Sequence, residues 1–143
     1  MLGIIMSIIA GAAMSFQGVI NTRLGEKIGL YESNVFVQGT AFLLGLIALF
    51  FLGKGDFGAL LQVNKLYWLG GALGLIITLT VMLGIGNLSP TYAISVILIS
   101  QLFVAATIDA LGLMETDKIA FTWNKWAGLA LMVVGLLAFK WET

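Results

Sequence analysis

The sequence contains no cysteine and no histidine, and it has a single proline. Without cysteine there is no disulfide framework, thiolate zinc site or thiol nucleophile. Without histidine the commonest metal ligand and general base is missing. Only 10% of the residues are charged, whereas soluble domains are about one quarter charged. These absences argue against an enzyme, a metal site and a bound cofactor.

Apolar residues dominate what remains. They make up 60% of the chain, and the mean hydropathy is +1.07. Such a chain cannot cover a globular surface with polar groups, so its solvent is a lipid bilayer. The formal net charge is zero, and nothing therefore indicates nucleic acid as a partner.

Long apolar segments predict an all-α membrane protein. A bilayer core of about 30 Å needs about 20 apolar residues as helix. Ala10, Gly11 and Ala12 resemble a signal-peptidase site, but no basic residue precedes them, so a retained helix is favoured over a cleaved signal. Pro90 is placed to open the fourth helix. The sequence thus predicts one five-helix domain over residues 1–143, with helices at about 2–21, 34–53, 66–86, 89–112 and 123–141.

Tryptophans lie at the ends of the predicted helices, where aromatic side chains anchor membrane proteins at the level of the lipid headgroups. The predicted interface anchors are Trp68, Trp123, Trp126 and Trp141.

Basic residues give a weak orientation signal. Five spans place four lysines on one face (Lys54, Lys65, Lys118 and Lys125) and three basic residues on the other (Arg23, Lys27 and Lys140). Cytoplasmic loops normally carry a clear excess of Lys and Arg. Either the chain has a slight preference to insert with its N-terminus inside, helped by an insertion partner, or copies insert in both orientations and assemble antiparallel. An odd number of spans suits a half-transporter, because many transporters consist of two inverted halves.

Small residues recur at helical spacing and predict close helix packing, because in lipid small side chains let helices approach. The first helix carries a stripe at four-residue intervals, the third a glycine pair four apart, and the last a pair seven apart. These positions are Gly3, Ser7, Gly11 and Ser15, then Gly70 and Gly74, then Gly128 and Gly135. Gly18 and Gly112 are predicted packing positions as well.

Few polar side chains lie within the predicted spans. Gln17 and Asn21 share one face of the first helix, and Gln101 and Asp109 share one face of the fourth. The amides either hold helices together or line a path for a polar solute. A carboxylate in a span is costly, so Asp109 is a functional candidate that could bind a cation or carry a proton. Alternatively, it caps a loop or pairs with Lys118.

Three stretches carry a resemblance to a known family. "GAAMSFQGVINTRLG" resembles a first-helix motif with Gln-Gly followed by Asn and Leu, and "SPTYAISVILISQLFVAATIDALG" resembles a fourth-helix motif with an early Gln and a late Asp-x-x-Gly. "NKWAGLALMVVGLLAF" resembles a closing helix with two glycines seven apart. Together they resemble the YdcZ-type family of small bacterial inner-membrane proteins, related to the drug/metabolite transporter superfamily. The motif positions are Gln17, Gly18, Asn21, Gln101, Asp109, Gly112, Gly128 and Gly135, while Ser100 replaces a usual glycine.

The resemblance implies a five-helix half-transporter in the bacterial inner membrane, working as an antiparallel homodimer or with an oppositely oriented paralogous subunit. The favoured function is a secondary transporter that exports small metabolites or drug-like solutes by alternating access. Gln17, Asn21, Gln101 and Asp109 would line the substrate pathway. A passive channel and a non-transporting membrane assembly subunit are the alternatives.

Overall fold

The computed structural model describes residues 1–140, apart from the side chain of Phe139, and these residues form helices joined by short connections. Two compact units divide the chain, residues 1–87 with three helices and the residues from Leu88 onward with two. The helices are α1 (Leu2–Ile28), α2 (Leu30–Leu52), α3 (Gly70–Asn87), α4 (Pro90–Leu111) and α5 (Trp123–Lys140). The predicted all-helical fold is confirmed.

Four helical segments of the described chain are long and apolar enough to cross a membrane: Leu2–Ile28, Leu30–Leu52, Lys65–Asn87 and Pro90–Leu111. The third of these combines a short 3₁₀ helix with α3. The apolar part of the fifth helix is shorter and covers Trp123–Ala138. Apolar helices suited to membrane spans therefore occur in the parts of the chain where the sequence predicts them.

The connection between the first two helices differs from the expected twelve-residue loop. Helix α1 runs on to Ile28, and α2 begins at Leu30. The charged residues continue the helix, and Arg23 pairs with Glu26 at 3.0 Å. Gly29 alone separates the helices, with φ 104° and ψ 151°, a conformation that is essentially restricted to glycine.

The connection between α2 and α3 contains two 3₁₀ helices, Phe57–Leu61 and Lys65–Leu69. The Asp56 carboxylate accepts a hydrogen bond from the backbone N–H of Gly58 at 2.7 Å and caps the first. Trp68 lies in the second, and its indole N–H donates to the backbone carbonyl of Leu60 at 3.3 Å. The connection is thus folded back on itself by local hydrogen bonds.

Helix α4 has local signals at both ends. The Ser89 hydroxyl accepts a hydrogen bond from the Tyr92 N–H, and Pro90 occupies the first turn as predicted. Gly112 ends the helix in the left-handed conformation, with φ 65°. The segment that follows returns toward the helix, because the Ile119 N–H donates to the backbone carbonyl of Asp109 at 2.8 Å.

Candidate functional site

Four buried polar residues gather where α1 and α2 approach each other, and we name them the polar junction: Asn21, Thr22, Ser33 and Asn34. Ser33 is 0% exposed, and its hydroxyl donates to the backbone carbonyl of Asn21 at 3.3 Å. The Thr22 hydroxyl donates to the Gly18 carbonyl at 2.8 Å and lies 3.5 Å from the Met82 carbonyl of α3. The polar junction therefore connects all three helices of its unit.

Gly18 allows α1 and α3 to pack closely beside the polar junction. A Cβ atom at Gly18 would lie 2.8 Å from Cδ1 of Ile85 and 3.1 Å from Cγ1 of Val81. Both Ile85 and its neighbour on the same face, Met82, are buried. Gly18, which follows the predicted pathway residue Gln17, is thus a packing position within this unit.

The carboxamide oxygen of Asn34 is buried and has no hydrogen-bond partner among the described residues. The residue as a whole is only 1% exposed. A buried acceptor without a donor costs about 1–3 kcal/mol. The polar junction thus retains one unused acceptor.

The two amides predicted to share one wall on α1 have different surroundings. Asn21 is buried in the polar junction, whereas Gln17, one turn earlier, is exposed. On α4, Gln101 is likewise exposed, while Asp109 is half-buried. Each pair belongs to its own unit, with Gln17 and Asn21 in the first and Gln101 and Asp109 in the second.

A cleft between α4 and α5 contains Asp109, and we name it the acidic cleft. Its volume is about 540 Å³. Small residues leave this room, because Ala105 and Ala106 lie on α4 and Gly128 lies on α5. The lining consists of Leu102, Ala105, Ala106, Asp109, Phe121, Lys125, Gly128, Leu129 and Met132.

Two opposite charges line the acidic cleft. Asp109 is in the last turn of α4, and Lys125 is in the first turn of α5. Within the described residues, no ion pair of 4.0 Å or less joins Asp109 to Lys125 or to Lys118. The expected alternative in which Asp109 pairs with Lys118 is therefore absent here.

Phe121 is the aromatic residue in the lining of the acidic cleft. The ammonium group of Lys125 lies 5.8 Å from the ring centre of Phe121. Phe121 packs edge-to-face on Trp126, with ring centres 4.7 Å apart. Phe121 also borders a second cleft of about 190 Å³ that includes Trp126 and Thr107. Phe121 thus lines two clefts on the α4–α5 pair, as does Ala106.

Sequence reasoning missed Lys125 and Phe121 as cleft residues, although a signal was present. The α4 lining residues 102, 105, 106 and 109 follow the spacing i, i+3, i+4, i+7. The α5 residues 125, 128, 129 and 132 follow the same spacing. Two such stripes mark facing helix surfaces. Ser33 and Thr22 were missed because the segment after Asn21 was expected to be a loop.

The predicted packing positions fall into two groups. Gly74 faces the Gln38 side chain at 3.7 Å, Gly112 is the left-handed cap of α4, and Ser7 and Ser15 donate to the carbonyls of Gly3 and Gly11. At the other positions an added Cβ would meet no atom of the described residues within 4 Å; these are Gly3, Gly11, Gly70, Gly128 and Gly135. Their packing role stays a prediction.

The predicted interface anchors Trp68, Trp123 and Trp126 are all exposed in the chain. Trp68 precedes α3, while Trp123 and Trp126 lie in the first turn of α5. Trp141 lies outside the described residues. Among residues 1–140, no group of three His, Cys, Asp or Glu side chains is placed to hold a metal ion.

Comparison with known proteins identifies one family. Residues 2–138 match the family model described as "Putative inner membrane exporter, YdcZ". No curated protein and no solved structure matches the chain significantly. The match covers nearly the whole chain and agrees with the apolar helices described above. The chain therefore belongs to the YdcZ family of inner membrane exporters.

Proposed function

We propose that the protein is a secondary transporter that exports small metabolites or drug-like solutes, with the acidic cleft as part of the solute path. The observation that carries this proposal is a carboxylate in a membrane span that lines an open cleft of about 540 Å³. Ligand sites typically have volumes of about 300–1,000 Å³, a mostly apolar lining and a few placed polar groups. Membership of an exporter family supports the same function.

The carboxylate of Asp109 has the chemistry to bind a cationic group of the solute or a coupling proton. Charged groups in spans are expensive and mark substrate or ion pathways. Asp109 makes no side-chain hydrogen bond within residues 1–140, so its oxygens are available. In this proposal Asp109 is the group that changes partners during transport.

We further propose that two copies, or one copy and an oppositely oriented paralogous subunit, assemble antiparallel and alternate access to the path. Gln17 and Gln101 are exposed on spans of the single chain. A polar amide facing lipid is costly, so these side chains favour a protein or water surface. The four-against-three distribution of basic residues supports insertion in both orientations.

Solute flux in proteoliposomes tests the transport proposal. Fluorescent and radiolabelled solutes would be screened with the pure protein, and Asp109→Asn would be compared with the wild type. We expect Asp109→Asn to lower flux at least about ten-fold, because it removes a charged contact in the path. Asp117→Asn, which changes an acid outside the acidic cleft, should keep wild-type flux. Equal flux through both variants would reject the assigned role of Asp109.

The same assay separates the transporter from a channel. Alternating access predicts flux that saturates with solute and supports exchange of solute across the membrane. Single-channel currents, or flux that rises linearly to high concentration, would instead establish passive conduction.

Cysteine labelling tests the antiparallel assembly on this naturally cysteine-free chain. A single cysteine at Gly55 or Thr116 would be labelled from each side of intact vesicles. Insertion in both orientations predicts that similar amounts are labelled from either side. Labelling from one side only would exclude the antiparallel homodimer and leave the pairing with an oppositely oriented subunit.

A further inference from the structure

We propose that the acidic cleft binds an amphipathic zwitterion, with its ammonium group on Asp109 and its anionic group on Lys125. This assignment of a substrate class rests on the proposed transport function of the same cleft. It adds Lys125, which lines the cleft opposite Asp109, as a ligand-binding residue.

The argument begins with two charges that do not satisfy each other. Asp109 and Lys125 line one cleft from two helices, but no ion pair joins them within the described residues. The ammonium group of Lys125 contacts the face of the Phe121 ring, which is a weaker partner than a carboxylate. Neither Asp109 nor Lys125 therefore has an oppositely charged partner among the described residues.

A ligand with a single charge would neutralise only one of these groups. The other would stay without an opposite charge in a mostly apolar cleft, and this is most costly at Asp109, which is half-buried, whereas Lys125 is exposed. A zwitterion supplies an ammonium group for the carboxylate and an anion for the lysine at the same time. Charge complementarity therefore favours a zwitterion over either a simple cation or a simple anion.

The remaining lining defines the body of the ligand. Leu102, Leu129 and Met132 are apolar, and Gly128 adds no side chain. A volume of about 540 Å³ fits an amino-acid-sized solute with an apolar side chain, or the headgroup region of a phospholipid. Both sources carry the same chemistry, an ammonium group and an anionic group next to apolar carbon.

A matched set of probes tests the charge requirement. Phenylalanine is a zwitterion, its methyl ester is a cation, and N-acetylphenylalanine is an anion, while all three share one apolar body. Binding to purified protein in detergent would be followed by tryptophan fluorescence, because Trp126 packs on the cleft residue Phe121. We expect phenylalanine to bind at least about ten-fold tighter than either singly charged probe.

Two variants and one control assign the charges. Asp109→Asn should remove the advantage of phenylalanine over N-acetylphenylalanine, and Lys125→Gln should remove its advantage over the methyl ester. Lys118→Gln, a lysine that does not line the cleft, should keep the wild-type order of affinities. A thermal melt of each variant verifies folding.

A lipid arm distinguishes the two sources. The protein would be placed in nanodiscs of phosphatidylethanolamine, which is zwitterionic, or phosphatidylglycerol, which is anionic. If the site holds a lipid headgroup, phosphatidylethanolamine but not phosphatidylglycerol should compete with phenylalanine. If the site holds a free solute, phenylalanine should bind equally in both nanodiscs.

Three results would overturn the inference: equal binding of all probes, binding unchanged in both cleft variants, or no binding of any probe or of phosphatidylethanolamine to folded wild-type protein. Flux is measured on the same preparations. Flux without a preference for zwitterions removes this inference and leaves the transport proposal intact. Zwitterion binding that depends on Asp109 and Lys125, without flux of any solute, supports the site and rejects transport.

Discussion

The three helices of residues 1–87 and the α4–α5 pair associate in different ways. In the first unit, buried hydroxyl and amide side chains lie between α1 and α2, and Gly18 lets α1 pack on α3. In the second, clefts of about 540, 250 and 190 Å³ lie along the two helices. None of the α5 side chains that the structure describes is buried. We name residues 1–87 the closed unit, after these polar contacts, and the α4–α5 pair the open unit, after its clefts.

This difference separates two roles for polar groups in a membrane protein. In lipid, hydrogen bonds and close packing hold helices together because the hydrophobic effect between helices is missing. The polar junction fits that role, since its hydroxyl groups donate to backbone carbonyls. The side chains of Asp109 and Lys125 have no such partners in the described residues, as the proposed ligand site requires.

The largest expected effect comes from adding a charge to the closed unit. Asn34→Asp places a carboxylate at a position that is 1% exposed. The Oδ1 atom of Asn34 has no hydrogen-bond donor among the described residues, so the new carboxylate finds none there either. We expect the free energy of unfolding to fall by about 3–5 kcal/mol, because a buried charge is left unpaired. Denaturant unfolding of the protein in detergent micelles measures it. Asn124→Asp, at an exposed position early in α5, should change stability by less than about 0.5 kcal/mol. Equal losses would show that the polar junction is open to solvent.

The next effect is expected at the single residue that joins α1 and α2. Gly29→Ala forces a side chain into φ 104° and ψ 151° and against the Glu32 carboxylate. Residues held in such regions cost about 1–3 kcal/mol, and we expect a loss of that size in unfolding experiments. Gly55→Ala is the control, because its added Cβ meets no atom of the described residues within 4 Å. A wild-type stability for Gly29→Ala would mean that the α1–α2 joint adopts another conformation.

A matched pair of threonines compares the two units directly. Thr22 and Thr107 both donate to the carbonyl four residues earlier, at 2.8 and 2.9 Å. Only Thr22 is buried and also reaches a carbonyl of a second helix, that of Met82 at 3.5 Å. We expect Thr22→Val to lower the free energy of unfolding by about 0.5–1.5 kcal/mol. Thr107→Val should lower it less, and equal values would remove the distinction between the units.

Local signals made part of this fold predictable. The Ser89-Pro90 start of α4 follows from capping chemistry, and apolar length marked all five helices. The end of α1 predicted from hydropathy was wrong, because Arg23, Glu26 and Lys27 end an apolar run without ending the helix. Such residues are good helix formers, and only Gly29 interrupts the backbone.

The candidate site was less predictable than the fold. Asp109 was selected because it is an acid in a span, and it does line a cleft. The second charged residue of that cleft, Lys125, was missed because the sequence analysis used it only as a basic residue on one membrane face, although it lies within the predicted helix 123–141. Helices that are apolar all round also give no indication of which face is buried. The contrast between exposed Gln17 and buried Asn21 therefore needed the structure.

The smallest effect on stability is expected where a change fills the open unit. An added Cβ at Gly128 or at Gly135 meets no atom of the described residues within 4 Å. Leucine at either position should therefore change stability by no more than about 1 kcal/mol, which is the difference in helix propensity between Gly and Leu. Gly128 lines the acidic cleft, whereas Gly135 lines the separate cleft of about 250 Å³. We therefore expect Gly128→Leu to reduce phenylalanine binding and solute flux, and Gly135→Leu to leave both unchanged. Thermal melts and flux measurements on both variants show whether the space at Gly128 holds a ligand or is filled by helix packing. If Gly128→Leu instead left binding and flux intact, the cleft would be a packing defect and the solute would bind elsewhere.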